Sequence, residues 1–235
     1  MSIYRKQKLS DNHDEIMKCI SEDKPEPRYE YTYKETEVLY LRKVNQIHKY
    51  FVDNFAEGND DCNPIYVNLE VLKKLRDICK KIIKASVLRP AILEGGYGFV
   101  NFDKNKKVRL GKPLYNEVVF QPLDEKTFGE LKTGDFYISE NSLHQVKSRN
   151  DKGDKVQIEY TELCIDKEIE DSSLAKELLP TQEGFFFGSY DYDEWYLDGL
   201  KSYVSQVDEL VKEHKALIKS GVKDWDIDYY YRASW

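Results

Sequence analysis

The 235-residue sequence contains no uninterrupted apolar run that approaches the roughly 18 residues of a membrane span. We therefore expect no transmembrane helix and no membrane partner. The first residues, MSIYRKQKLSDNHDE, have no apolar stretch behind their basic side chains, so we also expect no signal peptide.

Cysteine is scarce and lacks the spacing of a structural site. The absence of any CxxC pair argues against a zinc knuckle and a disulfide framework, and it is typical of a reducing cytoplasm. The run GGYG lacks the GK[ST] ending of a phosphate-binding loop, and no EF-hand spacing is present. The sequence therefore predicts no cofactor and no metal. The four cysteines are Cys19, Cys62, Cys79 and Cys164.

Charge is abundant but unevenly distributed. Charged residues make up 34% of the chain, against about 25% in typical domains, and the formal net charge is −7. Residues 73–112 nevertheless hold 12 Lys or Arg against 3 Asp or Glu. This basic block could bind a polyanion, or it could face the acidic carboxyl-terminal half of the chain.

The amino-terminal half contains two helical patterns. Apolar residues at 3-4 spacing predict a helix from Glu35 to about Gly58, and an N-cap at Asn68 opens a second helix to about Lys84. The stripes expected to be buried are Leu41, Val44, His48, Phe51 and Phe55 in the first helix, and Leu72, Leu75, Cys79 and Ile82 in the second.

Helical patterns return after residue 171. A short helix is predicted over 172–180, and Asp191 with Glu194 resembles a capping box that opens a long helix to about Lys219. The long helix has a stripe of Leu200, Val204, Val207, Val211, His214 and Ile218.

Residues 86–165 lose the helical period and gain short β-prone runs. Seven of the 12 glycines lie there, which favours turns and bulges. The polar segments 103–106 and 150–154 separate strand-like neighbours as hairpin loops do. The runs are GYGFVNF, KVRL, NEVVFQP, DFYIS and KVQIEYTEL.

These patterns predict an α+β protein, in which a small helical body of three to four helices carries an inserted antiparallel β module. Residues 1–33 form a polar arm, 34–85 plus 171–220 the helical body, 86–170 the inserted β-rich module and 221–235 an aromatic tail. The tail either packs back on the body or docks on a partner.

Three segments of the sequence resemble a family of uncharacterised proteins encoded by tailed bacteriophages. In those relatives the second helix runs almost directly into the LLPTQ segment, whereas this sequence inserts the β-rich residues 86–170 between them. The segments are LRKVNQIHKYFVDN (41–54) followed by DDC (60–62), YVNLEVLKKLRDICKKI (66–82) and LAKELLPTQEGFFFGSYDYDEWYLDGLK (174–201).

The resemblance implies a phage origin and a host-directed role in the host cytoplasm, and it brings no catalytic assignment. We therefore expect an accessory protein that binds a host protein or a host-made small molecule and antagonises a bacterial defence system. The inserted module would supply specificity for the partner, and the helical body would be the shared scaffold.

The segment GYGFVNF (96–102) suggests a second function. It matches the RNA-contacting strand of RRM domains at every position except the first, where Gly95 replaces Lys or Arg, but the pattern that follows is a hairpin and not a helix. Alternate rings of the segment, either Tyr97 and Phe99 or Phe102, are therefore expected to fill the module's own core, while binding of RNA or single-stranded DNA stays open. The candidate partner-binding or nucleic-acid-binding residues are Tyr97, Phe99, Phe102, Lys106, Lys107 and Arg109.

Two further sites are considered. An aromatic pocket for a small ligand could form around the GFFFGS loop, although a hydrophobic plug explains the same residues. A small enzyme could pair His48 with Cys62, but His48 lies on an apolar stripe and Cys62 in an acidic loop that disfavours a thiolate. We expect no catalytic residues. The pocket candidates are His48, Thr181, Gln182, Phe186, Ser189 and Trp195.

Overall fold

The structure is a computed structural model that describes residues 1–22, 28, 30–139, 142–182 and 191–233. Over these residues it contains five α-helices and ten β-strands in two antiparallel sheets, which confirms the α+β class. The chain divides into two compact units. Unit 1 comprises Met1–Ser86 and Asp171–Trp235, and unit 2 comprises Val87–Glu170.

Unit 1 is not the helical body that we expected, because a four-stranded sheet in the order β2-β1-β10-β3 accompanies its helices. Its helices are α1 (His13–Ser21), α2 (Asn45–Phe55), α3 (Leu69–Ala85), α4 (Ser173–Leu178) and α5 (Glu194–Lys219). Its strands are β1 (Ser2–Asp11), β2 (Tyr31–Tyr40), β3 (Ile65–Val67) and β10 (Ile227–Arg232).

The predicted polar arm is wrong for residues 2–21, which form β1 and α1. Strand β1 lies inside the sheet and pairs with β2 on one side and with β10 on the other. The predicted first helix is likewise wrong over residues 35–40, which belong to β2. Local spacing misled the prediction because β2 obtains its hydrogen bonds from a strand about thirty residues earlier.

The aromatic tail packs on unit 1 as β10. Ile227, Tyr229 and Tyr231 alternate with more exposed residues, and all three are buried. This period of two is typical of a strand with one face on a core.

Helix α3 forms as the sequence predicts. The Asn68 side chain accepts a hydrogen bond from the Val71 backbone N–H at 2.9 Å, and the predicted stripe is fully buried. This stripe faces α5, where the Tyr203 hydroxyl donates to the Leu72 carbonyl at 3.3 Å. The helices on either side of the insertion therefore pack on each other.

Helix α5 begins two residues later than predicted. Asp193, not Asp191, is its N-cap and accepts a hydrogen bond from the Tyr196 N–H at 2.8 Å. Of the predicted stripe, Val204 is half-buried and Ile218 is exposed, while the other four residues are buried.

Unit 2 is a six-stranded sheet in the order β4-β9-β8-β7-β5-β6. The inner faces of five strands contribute to one apolar core. The strands are β4 (Leu88–Asp103), β5 (Lys107–Leu114), β6 (Val119–Thr127), β7 (Phe136–Ser139), β8 (Ser142–Lys152) and β9 (Lys155–Ile169).

The two predicted hairpin loops have different outcomes. The turn at 153–154 joins β8 to its neighbour β9, and Gly153 occupies the left-handed region with φ +61°. The segment 103–106 does not close a hairpin, because β4 pairs with β9 whereas β5 pairs with β6 and β7.

The ends of unit 2 are adjacent, since the Glu170 N–H donates to the Val87 carbonyl at 2.8 Å. An element with neighbouring ends can be inserted without breaking its host. Within the described ranges, none of the helices combines the length and the apolar character needed to cross a membrane.

Candidate functional site

The outer face of β4 in unit 2 presents two exposed rings. Tyr97 and Phe99 are 69% and 62% exposed, and their spacing of two puts both on the same face. We define the aromatic patch as these two rings with their cross-strand neighbours on β9 and β8. Its members are Tyr97, Phe99, Glu159, Thr161, Gln145 and Ser148.

Glycines position the rings of the aromatic patch. The register of β4 shifts between Glu94 and Tyr97, so that Gly95 and Gly96 form an irregularity just before the rings. A Cβ added to Gly98 would lie 2.8 Å from the Tyr160 hydroxyl, so only glycine lets this phenol pack beneath the strand. The strand thus combines a tightly packed inner face with an outer face that carries rings.

Of the two alternatives for the rings of GYGFVNF, Tyr97 and Phe99 do not fill the module's core, because both are exposed. Phe102, on the opposite face, does pack on the core and stacks on Phe128 with ring centroids 3.6 Å apart. Lys106 extends over the Phe102 ring, with Nζ 5.5 Å from its centroid.

The predicted cations do not join the aromatic patch through strand pairing. Lys107 and Arg109 flank the buried Val108 on β5, which is four strands from β4 in the sheet order. The lysines on the strands beside the patch are different ones, and the sequence analysis missed them. Lys147 donates to Gln145 at 2.7 Å, and Lys152 donates to Gln157 at 2.9 Å. The feature of the sequence that could have identified these lysines is the register of the β8–β9 hairpin.

The basic block 73–112 is divided between the two units and partly neutralised. On α3, Arg76 and Lys80 both donate to Asp208 of α5, at 3.0 and 2.9 Å. The side chains of Arg76 and Lys80 thus meet an acid of the carboxyl-terminal half, which is one of the two interpretations left open above.

His48 in unit 1 belongs to a buried hydrogen-bonded network. Its Nδ1 lies 2.6 Å from the Tyr231 hydroxyl and its Nε2 lies 3.1 Å from the Asp60 carboxylate. Burial lowers the pKa of His48, although the neighbouring Asp60 opposes this effect, and burial raises the pKa of the Tyr231 hydroxyl. The hydroxyl therefore stays protonated and donates to Nδ1, and the N–H of Nε2 donates to Asp60.

His214 forms a second network of the same kind. Its Nδ1 lies 2.9 Å from the Tyr229 hydroxyl and its Nε2 lies 2.8 Å from the Asp224 carboxylate. Burial raises the pKa of Tyr229 to about 12, so this hydroxyl also donates. The ring centroids of each His–Tyr pair are 5.9 and 6.0 Å apart at the same interplanar angle of 40°.

The two networks differ in access. His48 and Cys62 line a cavity of only about 10 Å³, whereas His214 lines a groove of about 510 Å³. Because both ring nitrogens of His48 have partners within the network, His48 is not placed to deprotonate Cys62. The structure therefore does not favour the thiol enzyme that His48 and Cys62 suggested.

The described members of the predicted small-ligand pocket have the following contacts and exposures. The Thr181 N–H donates to the Tyr192 hydroxyl at 3.2 Å, and the Gln182 N–H donates to the Asn45 side chain at 3.2 Å. His48 is buried, while the Trp195 ring is 73% exposed. Phe186 and Ser189 lie outside the described residues.

The acidic residues that follow α2 have partners within the protein. Asp60 accepts from His48, and Asp61 accepts from the Asn63 backbone and side chain at 3.1 and 2.7 Å. In the described part of the chain, no group of three His, Cys, Asp or Glu side chains is arranged to hold a metal ion.

The geometry defines an α+β protein of two units, with an exposed aromatic patch in unit 2 and two buried Tyr–His–Asp networks in unit 1. Comparison with protein-family models, curated proteins and solved structures finds no match to this chain. The site therefore has to be interpreted from its own chemistry.

Proposed function

We propose that the protein acts by binding a partner protein through the aromatic patch of unit 2, without making or breaking covalent bonds. The observation that carries the proposal is the exposure of Tyr97 and Phe99 on one face of a well-packed sheet. Aromatic side chains dominate the binding free energy at protein interfaces when they become buried there. The rigid strand beneath them reduces the entropy lost on binding.

The surroundings of the rings suit a protein interface. Glu159, which accepts a hydrogen bond from Ser148 at 2.6 Å, and Gln145 surround the rings with polar groups. A polar rim around an apolar centre is the usual arrangement of a protein interface.

The buried networks of unit 1 support binding over catalysis. A nucleophile of a hydrolytic triad has to reach the substrate, but the Tyr229 and Tyr231 side chains are both 2% exposed. In the His214 network the carboxylate of Asp224 faces solvent and the Tyr229 hydroxyl is buried. In a catalytic triad the carboxylate is buried and the nucleophilic hydroxyl is accessible, so the network has the opposite arrangement. These networks therefore anchor β10 to the helices.

The setting that we propose is a bacteriophage accessory protein that antagonises a bacterial defence system in the host cytoplasm. The segments that resemble phage proteins, 41–54, 66–82 and 174–201, all belong to unit 1. Unit 1 would be the shared scaffold, and unit 2 would give this protein its own partner.

The test is affinity capture from bacterial host lysate, followed by mass spectrometry. We expect the wild-type protein to enrich a partner and the Tyr97→Ala/Phe99→Ala variant to lose it, with a drop in affinity of about 100-fold or more. Tyr115→Ala, which removes a ring of unit 2 that is 63% exposed, is the matched control and should retain the partner. Equal capture by the double variant, with its circular dichroism unchanged, would contradict the proposal.

A second candidate is binding of RNA or single-stranded DNA. The observation that favours it is the pair of exposed rings together with Lys147, which donates to Gln145 of the same patch, since rings stack on bases and lysines contact phosphates. Fluorescence anisotropy with a labelled oligonucleotide distinguishes this function, because its affinity should fall steeply as salt rises. If no oligonucleotide binds at low salt, this candidate is excluded and the protein interface remains.

A further inference from the structure

The groove beside His214 is a second candidate site, built entirely from unit 1. It lies among α3, α5, β10 and the short turn Asp224–Asp226 and has a volume of about 510 Å³. Small-molecule sites occupy roughly 300–1,000 Å³, so the groove can hold such a molecule. By contrast, a depression of about 490 Å³ along α3 is lined by residues 70–81 of that helix alone and has no opposing wall.

Charge in the groove favours a cation. Lys73 and Glu70 neutralise each other, with Nζ 2.7 Å from the carboxylate. The remaining charged lining consists of Lys215 against Asp224 and Asp228. Among the residues that line the groove, two carboxylates thus outnumber one ammonium group, while the ammonium groups of Lys6 and Lys223 lie at its edge.

Aromatic rings at the groove fit the same ligand. The Trp225 ring is 75% exposed and the Tyr66 ring is 54% exposed, and both line the groove. The face of a tryptophan ring attracts ammonium and guanidinium groups more strongly than that of any other aromatic side chain. The Nζ of Lys223 already lies 5.3 Å from the Trp225 centroid.

A neighbouring cavity shows what this combination of groups binds within the protein itself. This cavity of about 160 Å³ shares Trp225 and Asp228 with the groove. Among the residues that line this cavity, the Lys6 ammonium lies 3.8 Å from the Tyr33 ring centroid. Lys6 on β1 is also the register partner of Asp228 on β10. An aromatic ring at this edge of unit 1 thus already holds an ammonium group.

We propose that the groove binds an organic cation, an ammonium or a guanidinium group, against the Trp225 ring and the carboxylates of Asp224 and Asp228. Two sources carry this chemistry. One is a free polyamine, and the other is a Lys or Arg side chain of a partner peptide. The inference goes beyond the proposed function, because it concerns unit 1 and does not depend on the aromatic patch.

The experiment is isothermal titration of the full-length protein with spermidine, with a peptide containing one arginine, and with inorganic phosphate. We expect saturable binding of at least one cation and none of phosphate. The cation with the higher affinity shows whether the natural ligand is a free polyamine or a side chain of a partner peptide. Binding of phosphate alone, or of none of the three probes, would overturn the proposal.

Variants locate the site and test its sign. Trp225→Ala should weaken cation binding about tenfold. Trp195→Ala should have no effect, since it removes a ring of the same unit with a matching exposure of 73%. Asp228→Asn should weaken binding several-fold, and this loss should shrink at high salt.

Lys215→Gln separates a cation site from an anion site. Removal of this like charge should tighten the binding of a cation about two- to threefold, whereas it would weaken the binding of an anion. Weaker cation binding by Lys215→Gln, or equal binding by Trp225→Ala with unchanged urea unfolding, would contradict the assignment.

Discussion

The two Tyr–His–Asp networks of unit 1 use the same chemistry in different surroundings. Tyr229 and Tyr231 lie on the same face of β10, and each donates to the Nδ1 of a histidine on a helix. The carboxylate that accepts from Nε2 is 28% exposed at Asp60 and 77% exposed at Asp224. Similar hydrogen bonds stabilise a fold by amounts that depend on how far water can replace them.

The largest effect is expected when the histidines are removed. His48→Phe should lower the free energy of unfolding by about 3 kcal/mol, because it leaves the Tyr231 hydroxyl unsatisfied and Asp60 without its donor. His214→Phe should cost only about 1–2 kcal/mol, since water can solvate Asp224. Urea unfolding measures both values, and equal losses would show that access does not distinguish the networks.

A smaller effect is expected from Tyr231→Phe and Tyr229→Phe. Each substitution removes one hydroxyl and keeps the ring. The stacking of residue 231 on Phe51, with ring centroids 4.5 Å apart, is therefore retained. Both should cost about 1–1.5 kcal/mol, because both histidine rings then lose a donor inside the core. The double-mutant cycle of Tyr231→Phe with His48→Phe should show coupling, and purely additive losses would argue that no hydrogen bond joins them.

The smallest effect is expected from pH, since a single proton is involved. The pKa of His48 is lower in the folded chain than its ordinary 6.5, chiefly because of burial. As the pH falls, His48 is therefore protonated at a higher pH in the unfolded chain than in the folded chain. The free energy of unfolding should fall as the pH drops below about 6.5, and above that pH His48 should not affect it. Urea unfolding as a function of pH should lose this component in His48→Phe and keep it in His214→Phe.

Much of unit 1 could be predicted wherever local pattern and packing agree. The Asn68 cap and the stripe of α3 were correct because a helix with one apolar stripe needs no distant partner to define its face. Strand β1 was missed, since its neighbour β10 is about two hundred residues away in the chain, and β2 was missed because it pairs with β1. Strand pairing over such distances leaves no local signal.

The candidate sites show the same division. His48 and His214 stood out as polar residues on apolar stripes, but their tyrosine partners lie 183 and 15 residues away. The alternation of Ile227, Tyr229 and Tyr231 was the available signal for a buried strand face. Trp225 and Asp228 gave no such signal, because a groove is made by elements that meet only in the folded chain.

The spacing of residues along a strand establishes which side chains share a face. Period two places Tyr97 with Phe99 and separates both from Phe102, and it places Tyr229 with Tyr231. That the first pair is exposed and the second pair is buried follows from long-range packing. A strand always has two faces, and the face against which other elements pack becomes buried.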